Sequence, residues 1–219
     1  MSDKIIVALI SAGGVTLGAI ISAIIGLLNA RIENNRRKNE VLEKGFDVKR
    51  EQLGKIYEEL LSILNTFPKV SPTDILKNIE FPPCYSMESF ESVIEILNYQ
   101  INDGKEKLDS EMVSQKEKRD IKSDIEKRKY CIEQIKKNQE DYFKAKEAYC
   151  LFKQSDKMII DMYAGQSVRN CLVEFEVVLH NAFISGHSVG DVYDSSKNLI
   201  EVTRNKIVNA IRNDIGTIR

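Results

Sequence analysis

IIVALISAGGVTLGAIISAIIGLLNA, residues 5–30, contains no charged side chain. A helix needs about 20 mainly apolar residues to cross the hydrocarbon core of a bilayer, so this stretch is long enough to span with some tilt. The reading predicts a transmembrane anchor over residues 1–30. A cleaved signal peptide is the weaker alternative, because its apolar region usually runs about 7–15 residues behind a basic start. Here only Lys4 precedes the apolar run, and Leu28-Asn29-Ala30 makes a poor cleavage site.

Working outward, Arg31, Arg36, Arg37 and Lys38 follow the span and outnumber Lys4 before it. Positive charge stays on the cytoplasmic side, which places the rest of the chain in the cytoplasm and gives the four residues a topology or lipid-headgroup role. Inside the span Gly14, Gly18, Ser22 and Gly26 recur every fourth residue. Small residues at that spacing let two helix backbones approach closely, so these four are the expected seam of a homo-oligomer. No ionisable residue in the span marks a proton relay or ion path.

Residues 31–67 read as a basic juxtamembrane collar and an amphipathic helix. Leu53, Ile56, Tyr57, Leu60, Leu61 and Leu64 share one helical face, and Pro68 and Pro72 close it. Residues 68–219 read as a cytoplasmic helical domain. Ser71-Pro72-Thr73-Asp74 has the form of a helix start running to about Ile79. Ser86 is the expected cap of a helix bearing Phe90, Ile94, Leu97, Ile101, Leu108 and Met112, and a second stripe carries Ile121, Ile125, Ile132, Ile135, Tyr142 and Tyr149. Between residues 103 and 147 stand thirteen Lys/Arg and twelve Asp/Glu. Narrow stripes beneath so much alternating charge predict a coiled-coil hairpin over about 86–152, broken near 113–120. Residues 166–183 form a strong amphipathic helix. A loop with two glycines follows, then a last helix bearing Leu199, Val202, Ile207, Ile211 and Ile215, capped by Ser195 or Ser196 and stopped at Gly216. The fold class is therefore all-α: an N-terminal transmembrane helix followed by an elongated bundle with a charged hairpin.

The formal net charge of −1 argues against a general nucleic-acid binder. Cys84, Cys131, Cys150 and Cys171 lie far apart and form no C-x-x-C pair, which reads as four free thiols. Glu176 and His180 are one helical turn apart and read as a surface ion pair rather than a metal site, because H-E-x-x-H is absent. His187 and Asp191 share the loop SGHSVGD, residues 185–191. Gly186 and Gly190 show no Walker spacing. Nothing nominates a catalytic residue, a cofactor or a metal.

Residues 49–61, KREQLGKIYEELL, and residues 207–216, ending in IRNDIG, together with the span, resemble bacterial single-span membrane proteins with a cytoplasmic helical domain. The resemblance implies an inner-membrane location with the C-terminal domain in the cytoplasm. Some proteins of this build are membrane effectors of antiphage systems. Three functions follow as expectations. The first is a membrane-anchored, non-enzymatic scaffold, with lipid and a second copy as partners and a protein on the charged hairpin. The second is an oligomerising effector that forms a pore or depolarises the membrane. The third is an enzyme with a site at the His187 loop.

Overall fold

A computed structural model describes residues 26–38, 51–110 and 113–216. The chain divides into two units, Met1–Gln52 and Leu53–Arg219. Within the first, residues 26–38 are helical and exposed, and Arg37 pairs with Glu33 at 3.3 Å.

The second unit is built from α1 (helical over residues 51–66, in this unit from Leu53), α2 (Pro72–Leu76), α3 (Phe90–Asp109), α4 (Gln115–Tyr163), α5 (Gln166–Phe183) and α6 (Leu199–Asp214). At about 1.5 Å per residue, the 49 residues of α4 extend some 74 Å. Its start is fixed by a capping box: Ser114 accepts from the Glu117 N–H, and the Glu117 carboxylate accepts from the Ser114 N–H. The first half of α4 pairs with α3. Leu97, Val93 and Ile135 are almost fully buried in a cluster that also takes Ile75, Leu76, Ile79 and Cys131. The second half joins α1, α5 and α6 around Leu60, Phe67, Val168, Phe175, Ile200 and Ile207. Phe67 is the aromatic centre there, with Tyr142, Tyr149 and Phe175 rings 5.7–6.3 Å away.

Two buried arginines hydrogen-bond across the joints between segments. Arg204 of α6 donates to the carbonyls of Leu64 (2.9 Å) and Phe67 (2.5 Å), which terminate α1, and its charge is met by Glu201 at 2.6 Å. Orphan carbonyls at a helix end need such partners. Arg128 of α4 donates to Gln100 of α3 and to the Glu80 carbonyl, and it pairs with Asp124. Tyr57 of α1 donates to Asp214 at 2.5 Å, and the Gly165 N–H donates to the same oxygen at 3.0 Å, which ties α1, the α4–α5 corner and the end of α6 together.

The chain is all-α, but the expected transmembrane helix is corrected. Among the described residues no helix is long and apolar enough to cross a membrane. Of the expected span, residues 26–30 are described. They run directly into Arg31, Glu33, Arg36, Arg37 and Lys38, so the described stretch of 26–38 is both short and charged. Gly26 lies there with nothing near its Cβ position, while Gly14, Gly18 and Ser22 lie outside the described residues. The membrane-anchored and membrane-disrupting functions rested on that helix and do not stand. The same holds for the lipid partner, the homo-oligomer through the span, the single-pass inner-membrane location and the resemblance to single-span proteins.

Smaller differences are local. α3 starts after Ser89, not Ser86, because those two serines bond one another across a turn. α6 is capped by Asn198, whose side chain accepts from the Ile200 and Glu201 N–H groups, while Asp194 holds Ser196.

Candidate functional site

The loop from Ile184 to Asn198 is held onto α2 by the Asp74 carboxylate together with Thr73 and Lys77. Asp74 sits in the first turn of α2, where Ser71 caps the helix and Pro72 opens it. Its Oδ2 accepts from the Ser71 hydroxyl (2.7 Å) and from the Val189 N–H (2.8 Å), while Oδ1 accepts from Lys77 (2.7 Å) and the Ser188 hydroxyl (2.6 Å). Burial alone would raise the carboxyl pKa. The bonds from Lys77, Ser188, Val189 and Ser71 more than offset it and hold the pKa below the ordinary aspartate value. Thr73 donates to the Gly186 carbonyl at 2.5 Å. The Asn198 amide reaches the Lys69 carbonyl at 2.9 Å, and the Leu199 N–H reaches the Val189 carbonyl at 2.8 Å.

Both loop glycines are required by close approach. Gly186 has φ 77°, and a Cβ there would lie 1.8 Å from the Tyr85 carbonyl oxygen; Gly190 has φ 99°, with the Lys197 oxygen 2.2 Å away. Their place in the sequence thus reflects backbone packing.

This tethering frames an open groove of about 520 Å³ between α2, the middle of α4 and the loop tip. Tyr130, Lys137, Asn138 and Asp141 come from α4, and Val192 and Tyr193 from the loop. Tyr193 is 99% exposed and Tyr130 57%. The tip is nonetheless pinned: the Tyr193 N–H donates to Asp191 at 2.9 Å, and Asp194 accepts from the Ser196 N–H and hydroxyl. Asn138 is buried. Its amide nitrogen donates to the Val70 carbonyl at 2.8 Å, which leaves its side-chain oxygen without a hydrogen-bond partner.

The residues singled out in the sequence fall elsewhere or apart. His187 is exposed, and only its main-chain N–H is engaged, by the Asn181 carbonyl; Asp191 is occupied by Tyr193, so the two do not form a dyad. Glu176 accepts from Lys153 (2.8 Å) and Tyr149 (2.9 Å) in place of a pair with His180. Arg31, Arg36, Arg37 and Lys38 are exposed on the helical stretch 26–38. The four cysteines are free: Cys84 and Cys150 are exposed, Cys171 half-buried and Cys131 buried, where burial pushes its thiol pKa up. Among the described residues no group of His, Cys, Asp and Glu could hold a metal ion. Tyr193 and Tyr130 carried no periodic signal. The available sign was the pair of aspartates flanking Val192-Tyr193, which favour tight turns that present the residue between them.

No protein-family model, curated protein or solved structure matches the chain.

Proposed function

We propose that this chain is a non-enzymatic helical interaction module that binds a protein partner in the groove between α2, α4 and the 190–193 loop tip. The observation that carries the reading is Tyr193, a large side chain that is 99% exposed on a loop fixed by hydrogen bonds at both flanks. Tyrosine offers a large amphipathic contact with only two side-chain torsions to order on binding. Tyr130 and Val192 extend the apolar contact. Lys137 and Asp141 supply a polar rim of both signs. The groove lies at the base of the α3–α4 hairpin, the element whose alternating charge suggests a protein partner.

Photocrosslinking tests this reading. A photoreactive residue at position 193 or 137 should give one discrete protein adduct in cells. The same residue at Tyr99, exposed on α3 outside the groove, should give none. Equal adducts from 99 and 193, or none at 193, would overturn the assignment.

A further inference from the structure

A second cavity, of about 210 Å³, lies between the C-terminal part of α4 and α5, and it is independent of the groove. Leu60, Phe152, Ile160 and Leu172 form its apolar wall, and Val173, 61% exposed, borders its mouth. It is somewhat larger than an apolar cavity of about 150 Å³ that takes up benzene.

Four charged residues also line it, and they are not equivalent. Lys153 and Glu176 neutralise one another at 2.8 Å, with the Tyr149 hydroxyl on the same carboxylate oxygen. Asp161 is exposed to solvent. Arg169 is held only by neutral acceptors: one Nη donates to the Asp161 main-chain carbonyl at 3.2 Å and the other to the Gln166 side-chain oxygen at 2.9 Å. Its Nε is buried with no hydrogen-bond partner, and no carboxylate of the described residues pairs with it. A guanidinium is best satisfied by a planar anion that accepts two parallel N–H bonds. An apolar cavity with such a donor at its edge has the composition of a small-ligand site.

We propose that this cavity binds a small monocarboxylate with an apolar tail. The carboxylate pairs with the Arg169 guanidinium at the cavity edge, and the tail lies against Leu60, Phe152, Ile160 and Leu172. The anion would supply the carboxylate counter-charge that Arg169 lacks among the described residues.

Hexanoate is a suitable probe, titrated calorimetrically into the full chain beside hexylamine and hexanol, which carry the same tail. Hexanoate should bind at least tenfold more tightly than either. Arg169→Gln should weaken it tenfold or more without altering the helical circular dichroism. Val173→Phe, at an exposed position on the mouth, should block binding of hexanoate; if Arg169→Gln fails to fold, this variant and the headgroup series still decide. Equal binding of hexanol would show an apolar void that does not recognise the carboxylate, and preference for hexylamine would place recognition on Asp161 or Glu176. Either result overturns the proposal, as does the absence of hexanoate binding or its survival in Val173→Phe.

Discussion

Asp74 shows how much of the candidate surface depends on a single side chain. Ser71-Pro72-Thr73-Asp74 is legible in the sequence as a helix start, and Ser71 does cap α2. That the same aspartate reaches Ser188 and Val189, more than a hundred residues away, is not legible, because nothing local in either segment encodes the pairing. Its pKa is lowered in the folded state, so its contribution is fully present above the unfolded aspartate value of about 3.9 and is lost as pH falls through the lower folded value. Asp74→Asn keeps the shape but removes the charge opposite Lys77. Removing one partner of a buried charged network costs about 2–4 kcal/mol, so urea unfolding at pH 7 should show a loss of that order. The gap between wild type and variant should close as the pH is taken below about 4. A gap that stayed constant would mean that the ionised carboxylate is not what holds the loop.

At the scale of elements, helical periodicity carried most of the information. The stripe on α1 enters one buried cluster and Phe90, Ile94 and Leu97 of α3 enter the other, while Leu108 of α3 joins neither; on α6 Ile207 and Ile211 are in the core but Leu199 is half exposed. Caps were less legible, since serine, asparagine and aspartate compete for the same role within a few residues; a tertiary bond to Lys69 holds Asn198, and the local Ser86–Ser89 bonds move the start of α3 past Ser89. The buried arginines were hidden by the charge density around them: Arg128 reads like any other basic residue in the hairpin, yet it is 6% exposed. Two glycines give a contrast that tests the packing. Gly54 lies within α1 with nothing near its Cβ position, so Gly54→Ala should stabilise by about 0.5–1 kcal/mol through helix propensity alone. At Gly165 a Cβ would sit 2.5 Å from the Asp214 carboxylate. Gly165→Ala should therefore displace the carboxylate that binds Tyr57 and cost about 1–2 kcal/mol. Thermal unfolding reads both; shifts of the same sign would contradict the packing of α1 against the end of α6.

On the scale of the molecule, the second unit is one long helix shared by two cores, with α3 on one half and α1, α5 and α6 on the other. The all-α class was legible from sparse proline and glycine and from the 3.6-residue period. The apolar run of residues 5–30 suggested an element that the described residues do not contain, because hydropathy alone does not establish a membrane-spanning helix. The groove escaped the sequence for a different reason: it is assembled from α2, α4 and a loop tip that are distant in the chain. Its claim to function rests on Tyr193 and Tyr130 acting as anchors, and interface energy is usually concentrated in a few such aromatics. The direct measurement is the affinity of the purified chain for the partner captured at position 193. Tyr193→Ala and Tyr130→Ala should each weaken it at least tenfold, whereas Tyr99→Ala should change it less than about twofold, as for a residue outside the interface. Undiminished affinity in the Tyr193 and Tyr130 variants would contradict the account.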